Sequence, residues 1–166
     1  MKHLLRTKAL QSLALSIALV FFAASARADS GPFAGLAGNW SGGGTITLGN
    51  GTNERIRCRA TYSVAGDGNN LQQSLRCASD SYKFELSSNV NNLAGQLSGT
   101  WNESSRNMSG ALFGNASAGR FQVVVTSPSF SANLSLTTHG DKQSVSVTAP
   151  PGGQLVGASI TLARGK

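Results

Sequence analysis

The side chains best suited to redox, metal or acid–base chemistry are few: Cys58 and Cys77 are the only cysteines, and His139 is the one histidine beyond His3. A structural zinc site draws on about four such ligands. Only carboxylates scattered over several loops could complete one here, so no metal centre is expected. His139-Gly140-Asp141 has the composition of a turn, and Ser131, Ser135 and Ser144 stand near it in a chain where serine is abundant throughout. A hydrolytic triad needs a base oriented by a third group and an oxyanion hole beside its nucleophile, and no nucleophile-elbow pattern is present. Gly42-Gly43-Gly44 is followed by neither Lys-Ser/Thr nor a helix, which excludes a phosphate loop. The reading is of a chain that is not an enzyme, with no catalytic residues and no cofactor. Binding chemistry remains, and its densest charged element is Arg55, Arg57 and Arg59 at alternating positions, with Arg76 a short distance on.

The elements that must position these residues begin after an export leader. Lys2, Arg6 and Lys8 precede an apolar run from Ala9 to Ala24, and Ala26-Arg27-Ala28 offers small residues for cleavage after Ala28. The run is short beside the roughly 20 apolar residues of a membrane span, and no cysteine lies near the cleavage point for lipid attachment. The expectation is a signal peptide over 1–28, no transmembrane anchor once it is removed, and a periplasmic or secreted location. The remaining 138 residues, 29–166, suffice for one domain. Removing the leader takes four of 14 Lys/Arg and none of seven Asp/Glu, so the formal charge falls from +7 to +3. Most of the basicity is therefore targeting. An oxidising compartment permits Cys58 and Cys77 to pair.

From residue 29 onward, alternating apolar and polar positions are interrupted by Gly, Asn, Asp, Ser and Pro clusters, the pattern of an all-β meander. Strands are predicted over 39–48, 54–65, 70–79, 81–90, 93–102, 106–113, 119–126, 129–138, 142–149 and 155–164. Turns are predicted at Asn50-Gly51, Ala65 to Asn70, Asn91-Asn92, Ser127-Pro128, Gly140-Asp141 and Pro150 to Gly153. Successive strand side chains point to opposite faces. One apolar face runs through even positions such as Ile56, Cys58, Ala60, Tyr62 and Val64. In other runs the odd positions carry it: Leu71, Leu75 and Cys77, or Leu93, Leu97 and Trp101. With one greasy face per strand, short connections and no helix to cover a sheet, an antiparallel up-and-down barrel of 8–10 strands is favoured over a two-sheet sandwich. A hairpin centred on Gly66 to Asn69 would oppose residues whose numbers sum to 135, placing Cys58 opposite Cys77, Ala60 opposite Leu75 and Val64 opposite Leu71.

The segment Leu36-Ala37-Gly38-Asn39-Trp40-Ser41-Gly42 opens the first strand with Gly-x-Trp, and Arg164 ends the last. This combination resembles the calycins, the lipocalins and their relatives including nitrobindin-like barrels. The resemblance implies that Trp40 closes one end of the barrel beneath Arg164, and a guanidinium over an indole is favourable in itself. A second Gly-x-Trp occurs at Gly99-Thr100-Trp101, ten strands exceed the eight of a lipocalin, and no residue matches a nitrobindin haem histidine. The chain also resembles small exported proteins of proteobacteria, which implies a location and no activity.

Inward positions include many small residues: Gly42, Gly44, Ala60, Gly95, Gly99, Gly110, Ala132 and Ala158. They fit either barrel curvature or a lumen left partly open. An open lumen would be walled by Tyr62, Phe84, Leu86, Leu97, Trp101, Phe121, Phe130 and Leu134, and would take a small lipophilic or amphipathic ligand without chemistry. A second expectation is a protein-binding module. Bacterial inhibitors of secreted metalloproteases resemble this chain as small exported barrels with one disulfide, a similar first strand and a short N-terminal trunk, here Asp29 to Ala34. A third is an envelope-associated structural factor. Arg55, Arg57, Arg59 and Arg76 would then face lipid head groups, lipopolysaccharide phosphates or an acidic protein. No nucleic-acid partner is expected, because the arginine cluster carries no outward aromatic residues.

Overall fold

The structure, a computed structural model, describes residues 30–165; the predicted leader and Asp29 lie outside these residues. Ten strands follow in order: β1 (Gly38–Leu48), β2 (Asn53–Val64), β3 (Asn70–Ala78), β4 (Lys83–Leu93), β5 (Gln96–Glu103), β6 (Met108–Ser117), β7 (Arg120–Ser127), β8 (Phe130–His139), β9 (Lys142–Thr148) and β10 (Leu155–Arg164). Each pairs antiparallel with its neighbours in sequence, and β1 pairs with β10, so the sheet is a closed barrel. Closure leaves no strand with an unpaired row of backbone N–H and C=O groups. The sandwich alternative is excluded by the same pairing.

The inward faces follow the expected parity. Ile56, Cys58, Ala60 and Tyr62 of β2 are buried in turn, and Leu71 and Cys77 of β3 answer them. The β2–β3 register joins Cys58 to Cys77, Ala60 to Leu75 and Val64 to Leu71. The two cysteines form the disulfide, with Cα atoms 4.1 Å apart. It therefore staples two directly opposed strand positions and faces the interior.

Glycine makes the curvature physically possible at two kinds of place. A Cβ on Gly44 would meet the Ser159 carbonyl of β10, and one on Gly110 would meet the Thr126 carbonyl of β7. Any side chain there would force neighbouring strands apart. At the β4–β5 turn, Ala94 and Gly95 both have positive φ (51° and 86°), as a two-residue turn matched to strand twist requires.

That turn corrects three expectations. The chain does not reverse at Asn91-Asn92: β4 runs on through Leu93, and Asn92 accepts the Gly95 N–H at 3.0 Å through its Oδ1. Asn92 supports the reversal from the strand rather than forming it. Leu93 consequently belongs to β4, whose even positions face inward, and is 81% exposed instead of joining Leu97 and Trp101 inside. Gly95 is a turn residue and not part of the inward face.

The disulfide closes a segment of 19 residues by sequence separation. Restricting a loop of that length in the unfolded chain is worth roughly 3 kcal/mol. The double variant C58A/C77A should keep the wild-type far-ultraviolet circular dichroism but lose about 2–4 kcal/mol of stability in urea titrations. An unchanged midpoint would show that the reduced chain is equally restrained.

Candidate ligand-binding cavity

The two ends of the barrel are built differently. At the end where β1 starts and β10 stops, residues 31–36 fold across the opening. Gly31 donates its N–H to the Asp67 carbonyl at 2.8 Å and Phe33 donates to Gly68 at 3.0 Å, which pins the segment to the β2–β3 turn. Phe33 and Leu36 are driven inside, at 1% and 3% exposure. Phe33 stacks on Phe121 of β7 with ring centroids 5.7 Å apart. Behind them Trp40 donates its indole N–H to the Leu36 carbonyl at 2.8 Å, and the Arg164 guanidinium lies 4.4 Å above the Trp40 ring. Arg164 also bonds Asp141 at 2.9 Å and the carbonyls of Ala37 and Gly35. One cation thus ties the last strand, the β8–β9 turn and the N-terminal segment together.

The opposite end carries the β1–β2, β3–β4, β5–β6, β7–β8 and β9–β10 connections. Between the two ends lies an apolar cavity of about 530 Å³, within the roughly 300–1,000 Å³ of small-molecule sites. Tyr62, Phe84, Leu86, Leu97, Trp101, Phe121, Phe130 and Leu134 all lie on its wall, as does the disulfide. The inward glycines Gly42, Gly44, Gly99 and Gly110 serve close strand approach, since a Cβ at each would meet neighbouring backbone, and the cavity is lined by other residues; curvature and an open lumen are both present.

Polar groups that the sequence reading passed over also stand inside. Glu103 ends the inward row Leu97, Gly99, Trp101 on β5 and is 2% exposed. Its carboxylate accepts backbone N–H groups from Glu85 at 2.9 Å, Ser105 at 3.0 Å and Arg106 at 2.8 Å. Burial alone would push its pKa up, but these backbone donors outweigh burial and hold it below the ordinary value. Arg106, 3.8 Å from Glu103, stacks on Tyr82 at 4.1 Å. It reaches the Gln154 side chain at 2.8 Å and the Lys83 carbonyl at 2.6 Å, spanning three connections at the cavity's rim. At the sealed end Tyr62 donates its hydroxyl to Gln143 Oε1 at 2.8 Å, and Gln143 is wholly buried. On the wall, Ser88 donates to Gln73 Oε1 at 2.9 Å. The signal for these groups was present as gaps in the apolar rows, at Gln73 between Leu71 and Leu75 and at Ser88 between Leu86 and Val90.

The remaining predicted residues lie elsewhere. Arg55, Arg57, Arg59 and Arg76 are exposed on the outer face, with Arg59 paired in register to Arg76 and Arg76 to Glu85. Ion pairs among the described residues join Lys83 to Glu85, Glu103 to Arg106 and Asp141 to Arg164, and none uses these four arginines. His139 sits exposed at the end of β8 opposite Lys142. Of the segment considered as a trunk, Asp29 to Ala34, Gly31 and Phe33 are hydrogen-bonded to the β2–β3 turn and Phe33 is buried, while Asp29 lies outside the described residues.

A search of solved structures finds Rv2717c from M. tuberculosis, at 13% identity and TM-score 0.64, covering 80% of this chain and 94% of that one. It also finds the S-type phycobiliprotein lyase CPES from Guillardia theta, at 13% identity and TM-score 0.56, covering 81% and 90%. Both are calycin-like ten-stranded barrels. The fold is calycin-like. No protein-family model matches the sequence, and no curated protein matches it. At 13% identity the likeness shows the barrel fold and not the side chains that line it.

Burial pushes the Tyr62 phenol up to about 12, against the opposing effect of its hydrogen bond to Gln143. Tyr82 is raised as well, chiefly by burial. A raised folded pKa gives stability that is complete below the unfolded value near 10 and is lost as pH rises through about 12. Stability should therefore fall across that window by roughly 2–3 kcal/mol for Tyr62. In Tyr62→Phe the fall should shrink, and the tyrosinate ultraviolet band should lose its highest-pH step. A wild-type titration complete near pH 10 would contradict the buried placement of Tyr62.

Proposed function

We propose that this chain is an exported, non-enzymatic binding protein that holds a small lipophilic or amphipathic molecule in the barrel lumen. The observation that carries the reading is the cavity of about 530 Å³, walled by apolar side chains, floored by Phe33 and Leu36, and bordered at its other end by loop residues including Tyr82, Arg106 and Gln154. A void of this size lowers stability through the packing it forgoes. An apolar occupant would restore contact with the wall and gain about 25 cal/mol for each Å² of apolar surface it removes from water. Export is supported by the leader-like sequence before residue 29, and an inward disulfide suits an oxidising compartment.

The protease-inhibitor alternative needs a projecting trunk, and the burial of Phe33 weighs against it. The outer arginines favour a second surface. Arg55, Arg57 and Arg59 face only Thr45, Gly43 and Ser41 on β1, so a large anionic group could approach them without obstruction. An envelope contact there would be compatible with lumen binding.

The probe for the lumen is N-phenyl-1-naphthylamine, a neutral apolar molecule whose fluorescence rises in dry surroundings. Wild-type protein purified and delipidated should bind it saturably. Leu134→Trp, which projects an indole into the cavity, should weaken binding at least tenfold, whereas replacing the four outer arginines by Gln should leave it unchanged. Equal binding by wild type and Leu134→Trp would place the probe outside the lumen and defeat the proposal.

A further inference from the structure

Along the cavity wall the inward rows of β3 and β4 are apolar except at one position each. On β3 the row is Leu71, Gln73, Leu75 and Cys77; on β4 it is Phe84, Leu86, Ser88 and Val90. The two exceptions are register partners, Gln73 opposite Ser88. They line the cavity together, Ser88 at 5% exposure, with the Ser88 hydroxyl donating to Gln73 Oε1 at 2.9 Å. Two polar side chains meeting by register in otherwise apolar rows form a unit.

That unit is only half used. An amide side chain has two N–H donors besides its oxygen. Among the described residues, the Gln73 amide has a partner for its oxygen and none for its nitrogen. No buried side-chain N or O is left unpaired without solvent access, so the free donors open onto the space that Gln73 lines. The other polar wall groups away from the rim are committed: the Tyr62 hydroxyl to Gln143 and the Trp101 indole N–H to the Ala111 carbonyl at 3.1 Å. A donor facing an apolar cavity costs about 1–3 kcal/mol if nothing accepts from it. Among the described residues, the charged groups lining the cavity are Glu103 and Arg106, at its rim.

We infer that Gln73, held by Ser88, is the specificity-determining contact of the lumen, and that the ligand it selects has an apolar body carrying one uncharged hydrogen-bond acceptor, such as a ketone or ester carbonyl. The inference rests on the lumen-binding reading and refines it. The Ser88 hydroxyl fixes the amide's orientation, so the free N–H groups point at a constant place on the wall. A donor that a bound molecule covers discriminates against one lacking the acceptor, because the mismatch leaves the donor unpaired.

The test uses 1-tetralone and tetralin, which share one bicyclic shape and differ by a carbonyl. Both are titrated by displacement of N-phenyl-1-naphthylamine from the full exported protein. In the variant Q73L/S88A, the affinity of tetralone relative to tetralin should fall about five- to tenfold, since one hydrogen bond is worth roughly 1 kcal/mol, while tetralin itself binds at least as tightly as before. A change in that ratio of less than twofold would overturn the inference and leave lumen binding standing. Displacement by neither compound, in a wild type that also fails to bind the fluorophore, would overturn the lumen reading itself. Should the variant not fold, the infrared carbonyl stretch of tetralone bound to wild type decides the matter. A band lowered toward its position in a hydrogen-bonding solvent is expected, and a band at its alkane position would refute the contact.

Discussion

Every other feature depends on the pairing of β1 with β10. Nine residues of β1, Trp40 to Leu48, find antiparallel partners on β10 between Arg164 and Leu155. Without that ladder two strands would present unpaired backbone groups, and the inward apolar rows would lose their common interior. The pairing is possible because β1 carries Gly42 and Gly44 on its inward face, where the β10 backbone comes too close for a side chain. Arg164 then locks the seam, since its one guanidinium covers Trp40 and holds the N-terminal segment and Asp141.

From this seam follows the asymmetry between the two ends of the barrel. The segment preceding β1 emerges at the end that Arg164 guards, and Phe33 and Leu36 have an adjacent apolar interior to fill. Among the described residues no comparable segment reaches the other end, where five connections meet. There the polar contacts are made by Arg106, whose charge is tolerated next to a cavity because Glu103 faces it and is itself held by three backbone N–H groups. The polar groups of the lumen are thus graded, from Gln143 and Tyr62 at the sealed end, through Gln73 and Ser88 on the wall, to an ion pair at the rim.

Much of the fold was legible because the strand period of two is short and local. The Cys58–Cys77 register followed from the β2–β3 turn alone, and the eight wall residues followed from parity, since a barrel sends every inward side chain to one space. The misreading at Asn91-Asn92 shows the limit of local signals. Asparagine favours turns, yet here Asn92 acts from within β4 by accepting a bond from Gly95, and two residues of positive φ, Ala94 and Gly95, make the reversal. The error moved Leu93 to the wrong strand and so to the wrong face. Parity further along β5 survived because the pairing slid without changing which face Leu97 and Trp101 share.

The sequence by itself determined an all-β barrel of eight to ten strands, most of the inward rows and the disulfide register, because each depends on alternation or turn chemistry; the joining of Trp40 to Arg164 came from the resemblance carried by the two terminal motifs, and closure fixed the count at ten. The tertiary structure alone decided that the interior is only partly filled, that residues 31–36 plug one end, and that Gln73 meets Ser88. A cavity is a property of summed volumes around a closed ring, and a plug or a polar pair depends on which distant strands come to face one another. No window of sequence contains either quantity.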